Sequence, residues 1–338
     1  MERGKARPGL ADVARRAGLG IATVDRVLNE RGGVSAGTER RVLEAARALG
    51  LRHVLPAPHA RSLRIEVLLG PGFTPFMRRL GSAMAQVAAT LDRSVTVLRS
   101  SIEMTDPARV AARIARSRAD GIIIYCEEHP ANVAAIAGAE SAGRPVICVV
   151  TDVPESPRAA YVGIDHAKAG RTAGFFVARM GEGHGTALVL ATSTGFRAHK
   201  QRIDGFRAAL ALHAPGIVAA PVMTTQDMAD RSYHHVTRAL RGEAGEIVAI
   251  YNTGGGNEGV GHALRDRASG APIIFVGHEL TEESAVLLRD GLMTVTIDQA
   301  PEIQARRSID LMLRRLGGER LMPAEGEIAF TLHTIENC

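Results

Sequence analysis

The 338-residue chain has no tryptophan, 4% aromatic residues and three cysteines. Cys126, Cys148 and Cys338 are an odd number without ligand spacing, which excludes a disulfide framework and a cysteine-zinc site. Cys126 and Cys148 lie in apolar runs and are expected as reduced core thiols. No 18-residue apolar stretch exists, which excludes a membrane-spanning helix. The N-terminus, Met-Glu-Arg-Gly-Lys-Ala-Arg-Pro, lacks the apolar core of an export signal, so a cytoplasmic location is expected. His129, His166, His184, His199, His234, His235, His262 and His278 show neither H-E-x-x-H nor Cys/His spacing. They read as surface or packing residues, with no metal and no cofactor. No G-x-S-x-G elbow or triad is evident, and no enzyme activity is expected.

What is present is globular. Hydrophobic residues make up 46% and charged residues 23%, which rules out a disordered chain, and the length suits two or three domains. The net charge of +5 is unevenly placed. Residues 1–64 hold 13 Lys/Arg against 6 Asp/Glu, a net +7, and the remainder carries −2. A basic module on a near-neutral body points to a polyanion partner for the head alone.

In that head Leu10, Val13, Ala14 and Ala17 recur at helical spacing, and Gly18 suits a left-handed helix end. A second short helix spans Ile21 to Leu28, with Val24, Val27 and Leu28 inward. A third, capped by Ser35, runs to about Leu49 with Val42, Leu43, Ala46 and Leu49 inward. Two helices joined by a glycine turn and braced by a third make a helix-turn-helix, whose second helix lies in the major groove of duplex DNA. Gly20 then opens the reading helix. Ile21 and Ala22 take its reading positions, where they can touch a thymine methyl but form no bidentate hydrogen bond. Thr23, Arg26 and Asn29 are placed for phosphates or adjacent bases.

The run D-V-A-x-x-A-G-x-x-x-x-T-V-x-R-V-L-N from Asp12 to Asn29, followed by Val34-Ser35 and Thr38, resembles the headpiece of the lactose-repressor (LacI) family. The resemblance implies operator binding as a homodimer, with no tetramerising leucine tail after Cys338. Three features depart from it. Gly20 and Asp25 stand where the family usually has serine, and Asp25 needs a partner such as Arg26 or Arg15. The linker carries Pro56 and Pro58, which disfavour the family's hinge helix despite the run Ala60-Arg61-Ser62-Leu63.

Beyond the linker, strand-like apolar runs alternate with helices at Leu63–Leu69, Ser94–Leu98, Gly121–Tyr125, Pro145–Val150 and Tyr161–Ile164. They resume at Ala187–Ala191, Ile217–Met223, Ile247–Tyr251, Ile273–Val276 and Met293–Ile297. The pattern predicts two lobes of parallel sheet with a ligand cleft at the strand carboxyl ends. The order of segments resembles the periplasmic-binding-protein-like core of the same family. It implies lobe crossings near 164–166, 296–299 and 320–328 and a last strand at Glu327–Thr334. The expected fold class is an all-α helix-turn-helix headpiece on an α/β two-lobe core. The domains are 1–52 for the headpiece, 53–63 for the linker and 64–338 for the core. Lobe 1 takes about 64–164 and 299–324, and lobe 2 about 165–298 and 325–338.

Loops after the strands supply the candidate effector residues. Phe76, or its neighbour Phe73, offers an aromatic face to a sugar. Glu127 and Glu128 offer acceptors for hydroxyls, or merely suit a helix start. Arg202-Ile-Asp-Gly-Phe206 resembles the family's Arg-Leu-Ala-Gly-Phe, whose arginine holds the effector, and Arg197 lies close by. Asn252, Glu279 (where the family has Asp) and Gln299 complete the set, which suits a small sugar or polyol. Gly254-Gly-Gly256-Asn-Glu-Gly259 spells the dinucleotide fingerprint with Glu279 twenty residues on. It lies late in the second lobe without a paired proton donor, so an NAD-dependent dehydrogenase is the lesser alternative. An exported solute receptor is another, and leaves the head unexplained.

Overall fold

A computed structural model describes residues 9–29, 33–49, 62–72, 74–243, 246–267, 270–317 and 327–338. The chain divides into two compact units, Met1–Ser62 and Leu63–Cys338. The linker around Pro56 and Pro58, Phe73 and most of the 320–328 crossing lie outside the described residues.

In the first unit, α1 (Leu10–Ala17), α2 (Ile21–Leu28) and α3 (Ala36–Ala48) pack around Val13, Ala14, Ala17, Val24, Val27, Val42, Leu43, Ala45 and Ala46. Gly18 ends α1 at φ +64°, where a side chain would be strained. The Arg41 guanidinium donates to the Ala17 carbonyl at 2.6 Å and so ties α3 to that end. Ser35 Oγ accepts from Thr38 N at 3.3 Å at the start of α3. Leu10, expected inside, is 40% exposed. It is the first residue of α1, one turn before the helix reaches its neighbours.

The second unit holds two sheets. β1 (Leu63–Leu69), α4 (Pro75–Ala89), β2 (Val95–Ser101), α5 (Pro107–Arg116), β3 (Gly121–Ile124), α6 (Pro130–Ser141), β4 (Val146–Val149) and β5 (Ala160–Val162) build the first, in order β2-β1-β3-β4-β5. Then come α7 (His166–Met180), β6 (His184–Ala191), α8 (Arg197–His213), β7 (Gly216–Thr224), α9 (Ala229–Arg238), β8 (Ile247–Asn252), α10 (Asn257–Arg265), β9 (Ile274–His278), α11 (Glu282–Arg289) and β10 (Val295–Asp298). Next, α12 (Pro301–Arg315) returns to pack on α4 and the first sheet. The final strand, β11 (Thr331–His333), completes the second sheet in order β11-β10-β9-β8-β6-β7. All pairs are parallel except β10 with β11. Strands such as β3 and β4 are buried on both faces, which is why they read as unbroken apolar runs. Cys126 and Cys148 are free buried thiols, and burial pushes the Cys148 thiol up to about 12.

α7 and α8 approach so closely that a Cβ on Gly170 would lie 2.0 Å from the Arg202 carbonyl oxygen. Gly170→Ala must push the two helices apart. It is expected to cost about 1–3 kcal/mol, the usual range for overpacking. A lowered urea midpoint at unchanged m-value measures that loss; an unmoved midpoint contradicts the tight contact.

Candidate functional site

In the first sheet the chain moves from β1 outward to β2 and then to β3 on the other side. In the second it moves from β6 to β7 and then to β8. Loops beyond the carboxyl ends of β1, β3, β6 and β8 therefore frame a crevice where parallel sheets bind ligands. A cavity of about 340 Å³ lies there, lined by Phe76, Tyr125, Arg202, Asp227, Glu279 and Gln299 among others. That volume suits one small molecule. A second cavity of about 560 Å³ adjoins it across Thr74, Met77, Tyr125 and Asp227.

Arg202 lines the first cavity. The residue is 3% exposed, and its guanidinium donates from Nε to His166 Nδ1 at 3.1 Å and from Nη1 to the Thr253 carbonyl at 2.6 Å. Arg202 Nη2, His278 Nδ1, Glu279 Oε2 and Gln299 Oε1 are buried polar atoms without a partner, all on cavity-lining residues. Leaving such atoms unpaired costs about 1–3 kcal/mol each, so a polar ligand that pairs them recovers that free energy. Glu279 also sits at φ +70°, and Val150 and Asp227, which line the same cavity, are at +67° and +58°. Non-glycine residues held there store strain of the kind found at binding sites.

Burial sets the charges. It pushes the Glu279 carboxyl up to about 8, aided by Asp298 and opposed by the Gln299 hydrogen bond and Arg202. At neutral pH Glu279 therefore presents a proton as well as an acceptor. Burial likewise raises Asp227, against hydrogen bonds from Thr192 and Gly255. His199 is pushed down to about 3, and His166 and His278 fall well below the usual imidazole range, each first by burial and next by Arg202. Three neutral imidazoles thus flank one guanidinium.

Phe76, Arg202, Glu279 and Gln299 are the sequence candidates that reach the cavity. Glu127, Glu128, Arg197 and Asn252 are not on its wall. Glu127 accepts from Ser193 Oγ at 2.7 Å, and Glu128 pairs with Arg197 at 3.3 Å. These bonds span the lobes, because the loop after β3 meets the loop after β6 at the crevice rim. The stacked rings of Tyr125 and Phe196, with centroids 4.6 Å apart, meet there too. Asn252 turns inward and donates to the Gly255 carbonyl and to Asn257 Oδ1, each at 2.8 Å, which shapes the glycine loop. Asp227 and the three histidines are what sequence reasoning missed. The signal available for His278 was its place at a strand's carboxyl end.

The glycine run has a packing reason of its own. Gly256 begins α10 at φ +84°, and a Cβ on Gly259 would lie 1.8 Å from the Ala229 carbonyl oxygen. Gly254 and Gly255 line the cavity. Among the described residues, no group of three His, Cys, Asp or Glu side chains is placed to hold a metal, and no helix is long and apolar enough to cross a membrane.

In the head, Gly20 is the N-cap of α2 without a side-chain bond. Ile21 is 55% exposed, Ala22, Arg26 and Asn29 are exposed, and Thr23 is half-buried. Asp25 accepts from the Asn29 amide at 2.7 Å, and Arg15 pairs instead with Asp12 at 3.2 Å.

The model of the periplasmic binding protein domain matches residues 66–320, and that of bacterial regulatory proteins of the lacI family matches 9–52. The ribose operon repressor of Halalkalibacterium halodurans is 31% identical over 121 residues, covering 34% of this chain and 36% of that protein. The chain thus spans only about a third of that relative's length. The ribose import binding protein RbsB of Haemophilus influenzae is 25% identical over 251 residues, 73% of this chain and 83% of that one. Similar solved structures include a solute-binding protein from Burkholderia graminis in complex with D-arabinose (TM-score 0.73, 21% identity, 82% and 97% of the two chains). Another, from Bacillus halodurans with bound myo-inositol, has TM-score 0.71 and 21% identity over 82% and 96%. At that identity they speak for the fold.

Proposed function

Because the chain belongs to the periplasmic-binding-protein domain family and carries a head of the lacI regulatory family, we propose that it is a sugar- or polyol-responsive transcriptional regulator. It acts as a dimeric, cytoplasmic repressor. The observation that carries the effector half is the set of four unpartnered polar atoms on one 340 Å³ cavity. A mixed set of donors and acceptors fits a molecule of many hydroxyls, with Phe76 beside its apolar face. Occupancy biases the lobe arrangement, so effector and operator affinities are linked reciprocally. The domain boundaries read from the sequence, 1–52, 53–63 and 64–338, belong to the same proposal.

A thermal-shift screen against pentoses, hexoses, inositols and sugar acids, including D-arabinose and myo-inositol, tests the effector half. DNA mobility shifts over a salt series test the other, since phosphate contacts give a steep salt slope. Turnover of a sugar with NAD instead would favour the dehydrogenase reading, and indifference to DNA the receptor reading.

The exposed Ile21 gives a sharper expectation. On duplexes selected from random DNA by the full chain, deoxyuridine in place of a contacted thymine removes one methyl. Affinity is expected to fall about fourfold per methyl. Ile21→Ala should erase most of that difference, and a uridine duplex bound equally well by the unsubstituted chain would rule out methyl reading.

A further inference from the structure

Arg202 comes from α8, but the atom that fixes the plane of its guanidinium lies on α7. His166 is the first residue of α7, two positions past Ile164, which bridges to Ile328 where the chain passes between the lobes. His166 is 2% exposed, and its imidazole makes two hydrogen bonds. Nε2 donates to the Val150 carbonyl at 2.5 Å, and Nδ1 accepts from Arg202 Nε at 3.1 Å. A ring that gives at one nitrogen and receives at the other is neutral, in one fixed tautomer. Val150 follows β4 in the first lobe, lines the cavity and is held at φ +67°. The Tyr161 hydroxyl lies 3.1 Å from the Val150 carbonyl and 3.2 Å from that of Ile164. One side chain thus joins the guanidinium in the second lobe to a strand end of the first and to the crossing.

We propose that His166 is a positioning residue: it turns Arg202 Nη2 toward the cavity and couples that orientation to the passage between the lobes. The Thr253 carbonyl alone leaves the guanidinium free to swing about Nη1. The bond at Nε removes that freedom, as a supporting contact must if the binding group is to be pre-organised. The inference rests on the reading of Arg202 as the effector's anchor.

A space-filling role needs only volume at position 166; positioning needs one acceptor and one donor. His166→Gln keeps both, and His166→Leu keeps neither. Crystal structures of the ligand-free full-length variants are expected to keep Arg202 in place in His166→Gln and to show it turned away in His166→Leu. In calorimetry with D-arabinose and with myo-inositol, affinity is expected to drop about tenfold or more in His166→Leu, the worth of a lost hydrogen bond to a charged group. His166→Gln should restore most of it. Arg202 unmoved in the leucine variant, or equal losses in both variants, overturns the proposal. Should His166→Leu fail to fold, His166→Ala takes its place, having neither a side-chain donor nor an acceptor. If neither sugar binds the unsubstituted chain, the crystallographic comparison still decides the role of His166. The choice of effector then fails separately.

Discussion

Replacing Arg202 by methionine is expected to give a folded protein that still binds DNA and no longer answers to the proposed effector. Among the described residues, no carboxylate forms an ion pair with this guanidinium; its partners are His166 Nδ1 and the Thr253 carbonyl. Burying a cation without a counter-charge costs several kcal/mol. Arginine here breaks a stability rule in the way functional sites do. Methionine returns that desolvation while leaving two acceptors without a donor, at about 1–3 kcal/mol each. These changes oppose one another, so the net change in folding free energy is expected to stay below about 3 kcal/mol. The effector, by contrast, loses a charged donor with two N–H groups, and its affinity should fall about hundredfold or more. Calorimetry with whichever of D-arabinose and myo-inositol gives the larger melting shift reads this loss, and mobility shifts read the DNA half. Affinity retained within about threefold would take Arg202 out of the site.

The architecture was legible because its cause is local. Ile122–Ile124 and Val146–Val149 are buried on both faces, so the sequence itself shows parallel strands. Gln299 follows from the rule that ligands sit beyond strand ends, and Arg202 from the resemblance of Arg202-Ile-Asp-Gly-Phe206 to the family's run. Residues 166, 199 and 278 gather only through tertiary packing, and no spacing in the sequence announces that. Glu128 and Arg197 were visible as charges near the crevice, but their pairing across the lobes depends on how the two loops meet. Asn252 had the right place and the wrong direction. It is spent on the Gly255 carbonyl and Asn257, a choice made by the left-handed glycine turn that follows it.

The neutral histidines and the protonated carboxyl make stability a function of pH with opposite signs on either side of about pH 7. Below the ordinary imidazole value of about 6.5, the unfolded chain binds protons at positions 166, 199 and 278. The native chain refuses them, because burial and Arg202 hold all three down. Glu279 opposes this in part. Its value of about 8 means the native chain keeps a proton that the unfolded chain sheds above about 4.5. Between pH 5 and 6 the unfolded state thus holds a net two protons more. Stability should fall there by roughly 2–3 kcal/mol per unit of acidification. From about 7 to 8 Glu279 outweighs the histidines, and stability should decline gently as pH rises, by less than about 1 kcal/mol per unit. His199→Gln should halve the acid slope, and Glu279→Gln should abolish the alkaline decline while steepening the acid one. Urea midpoints measured from pH 5 to 8 check both limbs. A profile flat across that window would mean that the imidazoles accept protons in the folded chain. Arg202 would then stand among positive charges rather than neutral rings, and the electrostatic basis for its binding role would be lost.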